Sequence, residues 1–205
     1  MMKTSGFTLA EVLITLGIIG IVAAMTIPSL INNSQEAQYK SAYKKAYSVA
    51  NQALKKAEAD NNLVEYYDSN DSAYAIWDAL KSNFKVVKYC NNANNDQCWN
   101  MNGEQVESGL PEKGTEGFVD ASGMSWVMRC PRVSASTCGN ILYVDTNGWS
   151  APNKFGKDRW GLGYKVNDSK IPIEIIPYYM KDYTDSVHIN LCPTGPCYYF
   201  SWLYK

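Results

Sequence analysis

Three groups of residues have the types and spacing for chemistry. The first is a lone carboxylate, Glu11, the single charge in an apolar run from Phe7 to Ile31. The second is a set of six cysteines: Cys90, Cys98, Cys130, Cys138, Cys192 and Cys197. The third is a loop rich in oxygen donors, with Asp145, Asn147, Asn153 and Asp158 among the turn-forming Gly148, Pro152 and Gly156. Glu11 sits in the most demanding place. A run of about twenty-five residues, at a rise of 1.5 Å per residue, spans the roughly 30 Å apolar layer of a bilayer. An ionised carboxylate there costs about 2.5 kcal/mol or more, so it marks function unless it is paired. No Lys or Arg lies within the run.

The residues around Glu11 read G-F-T-L-A-E-V-L-I-T-L-G-I-I-G-I-V-A-A-M-T-I-P, from Gly6 to Pro28. This stretch resembles the processing and assembly signal of type IV pilins and type II secretion pseudopilins. Gly6 matches the last leader residue, Phe7 the first mature residue, and Glu11 the acidic fifth residue of the mature chain. Gly17 and Gly20 sit where many pilins carry small residues, and Pro28 where they carry a kink-forming proline. The resemblance covers residues 1–56, about a quarter of the chain.

It implies a set of partners. A prepilin peptidase in the membrane would cut after Gly6 and methylate the amino group of Phe7. Glu11 would pair with the free amine of a neighbouring subunit in a filament. In low dielectric two unpaired charges cost far more than a pair, so such pairing would select docking and register. Gly17, Gly20, Ala23 and Ala24 would let neighbouring helices approach closely. Two other readings compete: a secretory signal peptide cut near Ala23-Ala24-Met25, and an ordinary single-pass anchor. The first conflicts with Glu11 inside the apolar core. The second leaves Gly6-Phe7 and Glu11 without a reason.

An even number of cysteines behind an export signal favours disulfides. Six allow fifteen pairings. Their spacing suggests a local set, Cys90–Cys98, Cys130–Cys138 and Cys192–Cys197. Each would close a small loop, contributing roughly 2–3 kcal/mol by constraining the unfolded chain.

These residues must be carried by elements the patterning outlines. The chain divides into a leader at 1–6, a membrane or filament-core helix at 7–31, an amphipathic half of that helix at 32–60, and a globular domain at 61–205. Tyr39, Tyr43, Ala46, Tyr47, Ala50, Ala53, Leu54 and Ala57 recur at spacings of three and four, an apolar stripe on a helix. One long helix from about 7 to 60 is the simplest reading. Two helices broken at Asn32-Asn33 would show the same stripe. A second helical run covers Ser72–Phe84, with Tyr74, Ile76, Trp77 and Leu80 facing inward. Val86-Val87 leads into the first cysteine, and 91–97 reads as a loop.

From Phe118 the pattern turns to short strands. A hairpin is expected over Phe118–Met128 with its turn near Ala121–Gly123. Further strands are expected at Ile141–Val144, Trp160–Val166, Ile171–Tyr179 and Tyr198–Leu203. Pro172 and Pro177 restrict the fourth of these to an edge or a loop. The fold class is α+β: a long N-terminal helix, membrane-spanning in its first half, packed on a small antiparallel sheet. That is also the general plan of the family the first residues resemble.

The loop from Val144 to Asp158 has two readings. Asp145, Asn147 and Asp158 are the oxygen ligands calcium takes, and some pseudopilins bind calcium between late strands. The spacing departs from an EF-hand, and Lys154 and Lys157 stand beside the carboxylates. The other reading is a structural turn shaped by Asp, Asn, Pro and Gly. No cofactor is otherwise required.

Catalytic patterns are missing from the sequence. The single histidine, His188, has no local partner, and no phosphate-binding glycine loop occurs. A net charge of −1 makes no case for a nucleic-acid partner. No small-molecule substrate is expected. The reading is a pilus or pseudopilus subunit and not an enzyme. It is held in the inner or cytoplasmic membrane by one pass, with its domain outside the cytoplasm, before joining a filament. The alternatives are a minor or tip subunit whose domain binds a surface, DNA or an export substrate, and an anchored enzyme sharing only the signal.

Overall fold

The computed structural model describes residues 6, 8–63, 70–91, 93, 96–100, 102–103, 116–128, 141–169, 171–177 and 203. Its first element, α1, is one unbroken helix, Leu9–Ala59. Asn32 and Asn33 do not interrupt it, and Pro28 is accommodated within it. A helical proline removes one N–H from the ladder, so the carbonyl four residues earlier loses that partner. The helix stops on a Schellman cap. Asn61 takes a left-handed φ of 54°, Asn62 N donates to Ala57 O at 2.9 Å, and Asn61 N donates to Glu58 O at 3.1 Å. Asparagine tolerates this backbone because its short polar side chain bonds locally.

The chain divides into two compact units, Met1–Gln38 and Tyr39–Lys205. In the second unit, α1 buries Tyr43, Ala46, Ala50, Ala53, Leu54 and Ala57. Tyr39 and Tyr47 pack half-buried at the margin of the same core. This is the stripe the spacing predicts. Four of the six buried residues are alanine, so the helix backbone can approach the sheet closely. Helix α2, Asn70–Asn83, adds Ile76, Trp77, Ala79 and Leu80 to the layer. It begins two residues before the expected start, and the side chain of Tyr74 lies outside the described residues.

Among the described residues, six strands form one antiparallel sheet in sequence order: β1 Val86–Cys90, β2 Gly117–Asp120, β3 Ser125–Met128, β4 Ile141–Asp145, β5 Arg159–Val166 and β6 Pro172–Pro177. The register lines up Phe118, Trp126, Val144 and Trp160 across four strands. All four are buried beneath the helices, where Tyr43 meets Trp160 with ring centroids 4.8 Å apart. Neighbouring positions alternate faces. Val127 and Tyr143 thus point the other way, into a second cluster with Cys90, Ala93, Cys98 and Trp99.

The hairpin forms where the sequence places it. Its turn is organised by buried Asp120, whose Oδ1 accepts from Ser122 N, Ser122 Oγ and Met124 N. Its Oδ2 accepts from Trp126 Nε1 at 2.8 Å. Gly123, at φ 84°, supplies the left-handed residue. The proline-bearing β6 lies at an edge, as expected, and Asn51 of α1 satisfies its Ile175 N–H at 3.1 Å.

Strand β1 corrects the sequence reading, which stopped at Val86-Val87. Val87, Lys88 and Tyr89 are all exposed, and the register slips between Val86 and Lys88. An edge strand with a bulge shows no clean alternation, so period-two patterning misses it. The strand expected at the tail lies outside the described residues except Leu203, which packs on the main core.

Ala50 is fully buried where α1 meets the sheet. Ala50→Leu should overpack this contact and lower stability by about 1–3 kcal/mol, read as a depressed thermal midpoint of the full chain in detergent.

Candidate processing and assembly site

Thr8 and Glu11 form a reciprocal cap at the start of α1. Glu11 Oε2 accepts from Thr8 N at 2.8 Å and from Thr8 Oγ1 at 2.8 Å. Glu11 N in turn donates to Thr8 Oγ1 at 3.3 Å. Thr8 is the N-cap and Glu11 the third helical residue, the arrangement of a capping box. The positive end of the helix dipole favours the carboxylate at this position. Glu11 therefore has a partner within its own chain. The resemblance implies a cation from a neighbouring subunit, whereas the T-x-x-E pattern in the sequence names this nearer partner. Gly6, two residues before Thr8, is exposed, and Phe7 lies outside the described residues.

Beyond the cap the helix is apolar on every side. Leu9, Leu13, Ile14, Ile19, Met25 and Leu30 are each well over half exposed. Thr15 donates its hydroxyl to the carbonyls of Glu11 and Val12, and Thr26 to that of Val22. These bonds hide the hydroxyls inside the helix's own surface. A Cβ added at Gly17 or Gly20 would meet nothing within 4 Å. Helix α1 is long and apolar enough to cross a membrane, by length and composition.

Residues 1–27 match the prokaryotic N-terminal methylation motif. The chain carries a prepilin-type signal. The match takes in Gly6, Phe7, Glu11, Gly17 and Gly20, and it ends one residue before Pro28. No curated protein and no solved structure matches the chain. Behind the prepilin-type signal the architecture is pilin-like, an apolar N-terminal helix followed by an antiparallel sheet. The signal belongs to precursors of structural subunits, not to a class of enzymes.

The globular unit holds the other two groups. Cys90 and Cys98 are joined in a disulfide, with Cα atoms 6.2 Å apart. Both are buried, and their loop lays Ala93 and Trp99 on the sheet face away from the helices. Cys130, Cys138, Cys192 and Cys197 lie outside the described residues.

In the loop from 145 to 158, the carboxylates are engaged by the protein itself. Asp145 Oδ2 accepts from Arg159 Nε at 2.8 Å, and both side chains are 0% exposed. Asp145 Oδ1 accepts from Asn147 N. Asp158 accepts from Asn153 N at 2.7 Å and Lys154 N at 2.6 Å, one on each oxygen. Asn147 spends its amide on Ala151 O. Among the described residues no three His, Cys, Asp or Glu gather in a way that could hold a metal. Burial pushes the Asp145 carboxyl up, to about 7, against the pull of the Arg159 guanidinium.

Arg159 ties the disulfide loop to this turn, and sequence reasoning missed it. Its Nη2 donates to Asn100 O at 2.6 Å and to Asn153 Oδ1 at 3.1 Å. Its guanidinium lies over the Trp99 ring, 4.3 Å from the centroid. Gly103 completes the enclosure, since a Cβ there would sit 2.2 Å from the Asn153 Cβ. Only the pairing of Arg159 with Asp145 in the β4–β5 register brings these groups together.

Arg159→Ala should strand a buried carboxylate and lower stability by about 3–5 kcal/mol in denaturant unfolding. Arg159→Lys should recover little of that loss, because a point ammonium cannot reproduce the planar fork or its stacking on Trp99.

Proposed function

We propose that the chain is a precursor of a filament subunit, in a type IV pilus or a type II secretion pseudopilus. Prepilin peptidase cuts it after Gly6 and methylates Phe7, and the mature chain assembles with other pilin-class subunits through residues 7–28. Before assembly α1 anchors the chain in the cytoplasmic membrane by one pass, with the globular unit outside the cytoplasm. The observation that carries this reading is the prepilin-type signal over residues 1–27, in register with a helix whose apolar side chains stay exposed.

The Thr8–Glu11 cap gives the reading a physical sequence of events. While the subunit is alone in the membrane, Thr8 and the helix N-terminus hold the Glu11 charge. Cutting after Gly6 creates a cationic amine four residues before Glu11. A neighbour's amine then offers the carboxylate an ionic partner in place of part of its cap. The exchange is favourable only where the two charges meet at short range in low dielectric. Each incoming helix is thereby set at a fixed height.

The loop from 145 to 158 acts in this reading as a structural turn, not as a calcium site. Its carboxylate oxygens already accept from Arg159 and from backbone N–H groups.

Intact mass of the protein from its own membranes should show loss of Met1–Gly6 and gain of one methyl group. An uncut chain overturns the proposal. Glu11→Ala should still be cut yet fail to enter sheared filaments, and normal incorporation of that variant would overturn the pairing. Added calcium should leave the melting temperature unchanged, and a calcium-dependent rise lost in Asp145→Ala would restore the metal reading.

A further inference from the structure

The globular unit has a pocket of about 490 Å³ that the filament reading does not use. Three elements wall it: the last turns of α1, the residues just after α2, and the β2–β3 turn. Its floor is apolar, with Val49, Ala53 and Phe84. Phe84 is part of the main core and is held by Phe118 and Trp126 at centroid distances of 4.9 and 4.8 Å. A floor anchored this way does not collapse to fill the space above it.

The polar groups around this floor are nearly all committed within the fold. Asp120, the one carboxylate in the lining, accepts four hydrogen bonds from the hairpin. Ser122 gives both its N–H and its hydroxyl to Asp120. Asn83 donates to Ala79 O and Ser82 Oγ, and Gln52 donates to Ser48 Oγ. The exceptions are Lys56 and Lys85. Their ammonium groups make no hydrogen bond or ion pair among the described residues. The neighbouring lysines differ: Lys55 is paired with Glu58, and Lys81 with Asp78 and Glu116. The pocket lining thus carries two lysine ammonium groups without an ion-pair partner among the described residues and one buried, hydrogen-bonded carboxylate, a net positive charge over an apolar floor.

We propose that this pocket docks an acidic side chain of a second polypeptide, its carboxylate held by Lys56 and Lys85 and its aliphatic stem lying on Ala53 and Phe84. The charge selects an anion. The apolar floor selects a carboxylate carried on a hydrocarbon stem, beside an apolar neighbour, over a small free anion. The site is independent of residues 1–27, so its failure would leave the filament reading intact, and the reverse holds too.

The test uses the full chain in detergent micelles, with lysines carrying ¹³C-methyl groups that preserve their charge. The probe is a capped pentapeptide alternating Leu and Glu, with its Leu–Gln counterpart and sodium acetate as controls. The Glu peptide should move two lysine methyl signals saturably, and Lys56→Gln and Lys85→Gln should identify them. Each substitution should weaken binding by about fivefold, the upper end for one exposed ion pair, and the double variant should not bind. Added salt should weaken binding as well. Both lysines are exposed and unbonded, so the variants should keep the parent melting temperature. Absence of saturation overturns the proposal. So does an equal response to the Gln peptide, equal affinity for acetate alone, or undiminished binding by the double variant.

Discussion

Arg159 carries a full positive charge with no exposure to solvent. Such a group is tolerated only when protein dipoles and counter-charges replace the water it has lost. Asp145 supplies the counter-charge, Asn100 and Asn153 supply oxygens, and the face of Trp99 covers the remaining side. These partners come from three places in the chain: the disulfide loop, strand β4 and the turn before β5. Satisfying one guanidinium therefore fixes how the loop from 90 to 103 lies on the sheet.

At the other end of the chain a charge of opposite sign is held by its own helix. Glu11 lies in a segment whose length and composition suit hydrocarbon, and the N-terminus of its own helix satisfies it. A carboxylate at this end gains from unpaired N–H groups and from the helix dipole; one placed mid-helix would gain from neither. The chain thus holds these two charges differently. Arg159 is locked in permanently by tertiary packing. Glu11 is held by a local motif, the Thr8 cap at the start of its own helix.

Helix α1 is one continuous element with two chemistries. Up to about Ile31 its large aliphatic side chains are exposed. From Tyr43 onward its inward face is mostly alanine, which gives the sheet close access and leaves the bulky packing to Trp126, Trp160 and Phe118. Small residues on the helix and large ones on the sheet are complementary, the pairing that close packing requires.

Elements whose signals are local can be read from the residues alone. The apolar run, the stripe from Tyr39 to Ala57, the hairpin around Ala121–Gly123 and the edge character of the proline-bearing β6 were all legible, because each depends on residues a few positions apart. The T-x-x-E cap was legible in principle, since its partners are three residues apart. Strand β1 was not, because an exposed, bulged edge carries no alternation. Arg159 was not either: its partners are 6, 14 and 59 residues away. That Asp145 faces an arginine, and that Lys56 and Lys85 border one pocket, follows from how the strands and helices pack. Contacts of that range are set by strand register and layer packing, and no local pattern encodes them.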